Sequence, residues 1–275
     1  MSPTNFQQIA RDLDWVLRTP FLLKGQPSIS PPAPGSAIFE SDAFLEFFVA
    51  APRSHRVGYY FESLVHFWLK EIRGVEIVEH NLQIQDGKRT VGELDFVFRD
   101  ENGELNHWEV AIKFYLHAAT ENYSGSHFVG PNARDTLERK HARFIDHQLP
   151  LGKATIPEIA HQATFVKGQI FYHPTDRDPV ISPLLAENHQ RGFWFRQSET
   201  DLLENFQGAE SFRILQKPSW LSGSSAAAVN YASISDWLKT HFTESDHPVL
   251  LSALDFTETE TARIFVVNDR WPAID

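Results

Sequence analysis

Two consecutive segments decide the fold: Val91-Gly-Glu-Leu-Asp-Phe-Val-Phe98 and His107-Trp-Glu-Val-Ala-Ile-Lys-Phe-Tyr-Leu116. Apolar and polar residues alternate in both, as they do in strands that have one buried face. The alternation predicts that the even-numbered residues of both segments form the core face. The opposite face of the resulting hairpin then carries three charged residues of chemical interest: Asp95, Glu109 and Lys113.

The turn between these strands decides which residues face each other, because loop length sets the register of a hairpin. A three-residue loop, Glu101–Gly103, whose last residue is left-handed, pairs Asp95 directly with Glu109. A two-residue turn would instead place the two carboxylates on opposite faces. The buried pattern favours the longer loop, since that loop keeps Phe96 and Trp108 on one side of the hairpin.

The opposed carboxylates of Asp95 and Glu109 predict a cation site. Directly opposed strand side chains have Cβ atoms roughly 5 Å apart, and like charges at that distance destabilise a hairpin. Bound Mg²⁺ or Mn²⁺ would neutralise the pair, and both cations take carboxylate oxygens as ligands. Lys113 lies about 13 Å along the same face, and its long side chain can extend back toward the metal. The competing interpretation is the solvated outer face of an amphipathic hairpin.

A helix is predicted upstream of the hairpin, over Arg56–Lys70, because apolar residues recur there at helical spacing. Glu62 lies among the bulky residues of this helix. An acid in such a place usually caps the helix or extends to solvent. Because Glu62 precedes the carboxylate-bearing hairpin, it is also a candidate third acid of the site.

This order of features, with Glu62 on a helix, Asp95 on a strand and Glu109-(x)₃-Lys113 on the next strand, resembles the PD-(D/E)XK nuclease superfamily. More narrowly, several stretches are similar to a bacterial family catalogued as a domain of unknown function, number 1853. The resemblance covers most of the chain. The stretches that carry it are Gly58–Glu62, Gly92–Asp95, Trp108–Leu116, Gly130–Lys140 and His147–Leu149.

The resemblance implies an α/β fold of restriction-endonuclease-like architecture, a central mixed sheet flanked by helices. It also implies hydrolysis of phosphodiesters that depends on Mg²⁺ or Mn²⁺, with Asp95 and Glu109 as metal ligands and Glu62 as the upstream acid. The superfamily places its lysine two residues after the second acid, where this chain has Ala111. Lys113 would therefore act as a displaced lysine that orients the attacking water or offsets developing charge.

Three further residues are candidate contacts to phosphate or substrate: Arg134, Lys140 and Gln169. Arg134 and Lys140 belong to a basic stretch of a helix predicted over 132–148. Acidic residues are interleaved there, so a solvated helix face with ion pairs is the competing interpretation. Gln169 lies on a predicted strand, where packing at the sheet edge is the alternative role.

Composition bounds the function. The 275 residues carry a net charge of −11, which disfavours broad adhesion to nucleic acid, so a nuclease would need a local positive groove. The chain has no cysteine, which excludes disulfides, thiolate metal sites and a cysteine nucleophile. No apolar run approaches the ~18 residues of a membrane span, and the N-terminal residues do not resemble a signal peptide. We therefore expect a cytoplasmic protein without a membrane partner.

The predicted elements divide the chain into three parts. Residues 1–50 form an N-terminal helical arm that contains a proline-rich loop at Gly25–Gly35. Residues 51–200 form the nuclease-like α/β core. Residues 201–275 form a C-terminal α+β extension packed on the core.

The function expected from these observations is that of a Mg²⁺-dependent hydrolase, a nuclease or related phosphodiesterase with nucleic acid as substrate. The alternative is a non-catalytic binding or assembly protein that retains the fold and has lost its lysine at Ala111. Hydrolysis of a small phosphate ester is a third class, and it suits the acidic composition. Catalysis requires opposed carboxylates in an open cleft, whereas a degenerate site should tolerate Asp95→Ala.

Overall fold

A computed structural model describes residues 3–28, 42–50, 56–118, 125–204 and 206–273. Most of the proline-rich loop expected at Gly25–Gly35 lies outside these residues. The helices are α1 (Pro3–Arg18), α2 (Asp42–Ala50), α3 (Val57–Phe67), α4 (Leu137–Arg143), α5 (Leu149–Thr155) and α6 (Tyr231–Glu244). Two π-helical turns, Trp68–Ile72 and Phe144–Gln148, continue α3 and α4, and 3₁₀ turns occupy Gln197–Leu203 and Phe206–Gly208.

The strands form a large mixed sheet flanked by helices. They are β1 (Glu76–Asp86), β2 (Arg89–Arg99), β3 (Leu105–His117), β4 (Phe128–Val129), β5 (His161–Tyr172), β6 (Gln190–Arg196), β7 (Ser211–Leu215), β8 (Val249–Leu254) and β9 (Glu260–Val267). Over the described residues the order is β1-β2-β3-β5-β6-β9-β8-β7, with β4 paired to β3. Strand β6 runs parallel to β5 and β9, whereas β1, β2 and β3 form antiparallel pairs.

The chain divides into two compact units. The first comprises Met1–Ile112 and Arg139–Lys167, and the second comprises Lys113–Glu138 and Gly168–Asp275. Strands β3 and β5 therefore contribute residues to both units. The division at residues 50 and 200 stays a prediction. None of the helices in the described part of the chain combines the length and apolar character that a membrane span requires.

The hairpin of β2 and β3 has the predicted register. Phe96 pairs with Trp108 and Arg99 pairs with Leu105, as the three-residue loop requires. Gly103 has φ +80°, and its N–H bonds to the carbonyl of Asp100 at 2.9 Å. Glycine adopts a left-handed backbone conformation without a steric penalty, so Gly103 at this position favours the three-residue loop over the two-residue turn.

The strict alternation predicted for β2 is wrong at its centre. Phe96 lies on the face that α3 covers, where its ring contacts His66 with centroids 5.7 Å apart. Leu94 instead packs in a cluster with Val97, and a Cβ at Gly92 would overlap Leu151 of α5. The side chains therefore change face between Leu94 and Phe96. The neighbouring strand is also irregular there, since Asn81, which falls opposite this point, has φ 56°.

Helices cover both faces of this hairpin within the first unit. On one face, Trp68 after α3 contacts Trp108 with ring centroids 6.0 Å apart. On the other, α5 approaches so closely that a Cβ at Gly152 would overlap the imidazole of His107. Both His107 and Glu109 are fully buried. The polar face of the hairpin is therefore covered by a helix and is not solvated.

The helix predicted over 132–148 begins later than expected, at Leu137. The residues before it form a tight turn in which the N–H of Gly130 bonds to the carbonyl of Asp135 at 2.8 Å. Ala133, at φ 53°, gives the turn its left-handed residue. Arg134 consequently lies in this turn and not on the helix.

Candidate functional site: a carboxylate pair

Asp95 lies where the regular ladder between β2 and β3 ends. The last regular pair is Phe96 with Trp108, and Asp95 and Glu109 are the next residues along the two strands. Oδ2 of Asp95 accepts a hydrogen bond from the backbone N–H of Val110 at 2.7 Å. The backbone N–H of Asp95 in turn hydrogen-bonds the Glu109 carboxylate and lowers its pKa. The two carboxylates therefore take up backbone donors that a continuing ladder would have used.

Glu109 is held from two sides by neutral donors. Its Oε1 is 2.9 Å from Nε2 of His107, and its Oε2 accepts a short hydrogen bond from Nε2 of Gln148. The Nδ1 atom of His107 lies 3.1 Å from Nε2 of Gln162, which can only donate. The imidazole proton therefore resides on Nε2 and points at Glu109. Burial lowers the pKa of His107 to about 4, so this histidine is neutral at pH 7.

Both carboxyl groups have raised pKa values. Burial, followed by the nearby charge of Glu109, raises the pKa of Asp95 to about 7, and the Val110 amide opposes this shift. Burial raises the pKa of Glu109 to about 8, although Lys140 and Arg143 lower it. Desolvation therefore disfavours the charged forms, and both groups retain protons near neutral pH to a greater extent than exposed carboxyl groups do.

A π-helical turn positions Gln148. The turn occupies Phe144–Gln148 between α4 and α5, and Gln148 is buried at its last residue. Such turns are rare and occur frequently at functional sites. They add one residue to a helical turn, which rotates the following side chains relative to a regular helix. Pattern reasoning from the sequence assumed one regular helix here and did not identify Gln148 as a partner of Glu109.

Glu62, the predicted upstream acid, lies on α3 and points toward β1. Its Oε1 is 2.8 Å from Nε2 of His80. Its charge contributes to the raised pKa of Asp95, after burial and Glu109. The structure thus brings Glu62 into the electrostatic environment of Asp95.

Lys113 belongs to the second unit, where it has a carboxylate partner. Its Nζ lies 2.6 Å from Oδ2 of Asp135. The hydroxyl of Tyr115 donates to the same oxygen at 3.2 Å. The pKa of Tyr115 is raised well above its ordinary value by burial and by the charge of Asp135.

The three predicted phosphate contacts lie in different surroundings. Lys140 belongs to the first unit, where its Nζ lies 3.8 Å from the centre of the Phe144 ring and its charge lowers the pKa of Glu109. Arg134 lines a pocket of the second unit. Gln169 is buried on β5, and its Oε1 has no hydrogen-bond partner among the described residues.

The donor set at Asp95 and Glu109 fits a hard divalent cation. Mg²⁺ keeps several of its waters and needs only one or two carboxylates from the protein. Oδ1 of Asp95 has no hydrogen-bond partner within the described part of the chain, so it is available as a ligand. Among the described residues, no group of three or more His, Asp, Glu or Cys side chains is arranged around a common metal position. The side chains of this pair offer carboxylate oxygens, which are ligands that Mg²⁺ takes.

One missed partner could have been found in the sequence. His107 and Glu109 are two residues apart on one strand, so they share a face and can touch. Gln148 and Gln162 had no comparable signal, because only tertiary packing brings them to this face.

The fold and site define a mixed α/β protein with two carboxyl groups, the half-buried Asp95 and the fully buried Glu109, at the end of a hairpin ladder. The chain belongs to the family described as a domain of unknown function (DUF1853), whose model matches residues 11–267. Neither the curated proteins nor the solved structures give a match to the chain.

Proposed function

We propose that this protein is a Mg²⁺- or Mn²⁺-dependent phosphodiesterase that acts on nucleic acid, a nuclease of the PD-(D/E)XK type. One observation carries the proposal: Asp95 and Glu109 follow the last regular pair of the ladder, each accepts a hydrogen bond from the backbone of the other's strand, and burial raises the pKa of both. Burying two like charges is costly, and a site that retains them gains from a cation.

Asp95 and Glu109 would hold the cation. When bound, the cation would supply a water of lowered pKa and would offset charge on the phosphate. Asp95 is kept in place by the Val110 amide, which leaves Oδ1 available. His107 and Gln148 hold Glu109 in one orientation. Since neither donor can accept a proton from Glu109, both favour its charged, ligating form.

Positive groups complete the proposed site. The positive charges of Lys140 and Arg143 favour the ionised form of Glu109, because both lower its pKa against the larger effect of burial. In the proposed reaction they attract the phosphate backbone of the substrate, which the overall charge of −11 would otherwise repel. Lys113 would act as the displaced lysine. Its ammonium group would then have to leave Asp135 and contact the water or the phosphate that reacts.

The alternative is a non-catalytic binding or assembly protein with a degenerate site. Two observations favour it specifically: Ala111 occupies the usual lysine position, and protein donors already bond both oxygens of Glu109. In that case the pair would be a structural polar cluster, and metal would neither bind nor change activity.

Calorimetric titration of the protein with Mn²⁺ separates the two. We expect saturable binding to the wild type that is lost in Asp95→Asn, a change that keeps an acceptor for the Val110 N–H. Asp135→Asn is the matched control, because Asp135 is a carboxylate with its own lysine partner, and it should bind Mn²⁺ as the wild type does.

Cleavage of single-stranded DNA, duplex DNA and RNA with quenched fluorophores is then measured in Mn²⁺ and in Mg²⁺. The proposal predicts cleavage by the wild type and a loss of at least about 100-fold in Asp95→Asn. Absence of both binding and cleavage in the wild type would establish the degenerate site. Hydrolysis confined to small phosphodiesters would retain the metal site and reject the nuclease.

A further inference from the structure

A concave site lies entirely within the second unit. It is a pocket of about 790 Å³ lined by the turn around Arg134, the segment after β7, the end of α6 and the segment after β9. Pockets that hold small ligands commonly have volumes of about 300–1,000 Å³. The volume therefore accommodates one nucleotide or a compound of similar size.

The lining is basic in a chain that is acidic overall. Arg134, Lys217 and Arg270 contribute to the wall, whereas the acidic residue among the described lining is Asp246. Asp246 pairs with Arg270, with Nη2 and Oδ2 2.7 Å apart. Since the whole chain carries −11, this concentration of cations is a local reversal of charge. A cleft of one sign attracts ligands of the opposite sign.

Lys217 is a cation that the protein leaves without a carboxylate partner among the described residues. Its Nζ instead lies 4.5 Å from the centre of the Trp220 ring. Burial lowers the pKa of Lys217 because its charge is partly desolvated. A phosphate in the pocket would supply the missing negative charge.

The pocket also presents a flat aromatic surface. Trp237 on α6 is 39% exposed. Its ring stacks on His241, with centroids 5.0 Å apart and planes inclined by 13°. His241 is fixed in turn by a contact of 2.8 Å between its Nε2 and the carbonyl oxygen of His247. An exposed indole held in this way offers a face on which another aromatic ring can stack.

We propose that this pocket binds a nucleotide unit, with the base stacked on Trp237 and the phosphate near Lys217. Stacking on an aromatic side chain combined with a cationic wall is how single-stranded nucleic acid is held without regard to sequence. The shared chemistry of an aromatic base and its phosphate is present both in a free nucleotide and in a strand. The site is separate from the carboxylate pair and does not depend on cleavage.

The test measures binding of the full chain to a fluorescein-labelled oligothymidylate by fluorescence anisotropy, in EDTA so that no metal-dependent cleavage occurs. We expect Trp237→Ala to weaken binding at least about fivefold, as loss of one stacked base requires. Phe256→Ala is the matched control, because Phe256 is 85% exposed and does not line the pocket. It should bind as the wild type does.

Lys217→Gln provides a second variant that does not touch the aromatic surface. Loss of one phosphate contact should reduce the slope of log affinity against log salt by about 0.7 for a single strand. Lys239→Gln, on the same helix as Trp237 but outside the pocket, should leave the slope unchanged. Because binding is measured in EDTA and cleavage is measured with added metal, failure of the proposed cleavage and failure of this pocket are distinguishable.

Competition with adenosine monophosphate and with pyrophosphate identifies the source of the ligand. Displacement by the mononucleotide supports a site for a free nucleotide, whereas displacement only by oligonucleotides supports a site for a strand. The proposal is overturned if no labelled strand or nucleotide binds. It is also overturned if pyrophosphate competes equally well and Trp237→Ala has no effect, which would show a general anion site.

Discussion

Glu109 in the first unit and Asp135 in the second are neutralised in opposite ways. Glu109 is fully buried, and its side-chain hydrogen-bond donors are the neutral groups of His107 and Gln148. Asp135 is partly exposed and has the ammonium of Lys113 at 2.6 Å. Burial therefore raises the pKa of the first carboxyl group, whereas the second carboxylate has a cationic partner.

The contrast indicates where an added cation would act. A paired carboxylate near the surface gains little from a metal, because its lysine already supplies the charge. A desolvated pair such as Asp95 and Glu109 gains much, because charge in a low-dielectric environment interacts strongly. The location of the lysine thus separates a candidate metal site from an ordinary ion pair.

The largest expected effect is on the pH dependence of stability. The pKa of Asp95 is raised to about 7 and that of Glu109 to about 8, both by burial first. The native protein therefore binds protons that the unfolded chain has released. The stabilisation is complete below the unfolded pKa values, near pH 4, and is lost as the pH rises through about 7 and 8.

Urea unfolding of metal-free protein at several pH values measures this effect. We expect the free energy of unfolding to fall by on the order of 3 kcal/mol between about pH 5 and pH 9. Glu109→Gln should remove about half of the slope, because Asp95 keeps the part of its shift that burial causes, whereas Asp135→Asn should retain the slope. Mn²⁺ at pH 8 should restore stability to the wild type. A wild-type profile that is flat over this range would show that the pair is well solvated.

A smaller effect is expected on removing one donor to Glu109. Gln148→Leu leaves the buried carboxylate with one side-chain donor, His107, and the backbone N–H of Asp95, and this loss should cost about 1–3 kcal/mol in urea unfolding. It should also shift the pH profile upward, because the lost hydrogen bond favoured the charged form. Gln83→Leu, an exposed glutamine on β1, is the control and should change stability by less than about 0.5 kcal/mol. Equal losses in the two variants would mean that Gln148 does not stabilise Glu109.

Much of the fold could be predicted from local pattern. The three-residue loop and the pairing of Phe96 with Trp108 follow from turn length and from the buried faces, and the structure confirms both. Turn chemistry acts over a few residues, so the sequence contains the needed information. The structure shows a mixed sheet flanked by helices. The more specific restriction-endonuclease-like architecture stays part of the proposal.

The surroundings of the carboxylates could not be predicted in the same way. Alternation placed Leu94 with Phe96, yet an irregularity opposite Asn81 sends them to different faces. The π-helical turn that presents Gln148 likewise breaks the period that pattern reasoning assumes. Asp135 lies 22 residues from Lys113, and the tight turn before α4 is what brings them together.

The smallest effect on stability is expected for Lys113→Met. This variant also tests whether Lys113 serves only Asp135 or also the carboxylate pair. The ion pair with Asp135 is partly exposed, so its loss should cost at most about 1 kcal/mol. If Lys113 also serves the reaction, cleavage should fall at least about 100-fold while Mn²⁺ binding is unchanged. Lys239→Met, an exposed lysine of α6, should alter neither quantity. Unchanged cleavage in Lys113→Met would assign this lysine to Asp135 alone, and the positive charge at the carboxylate pair would then come from Lys140 and Arg143.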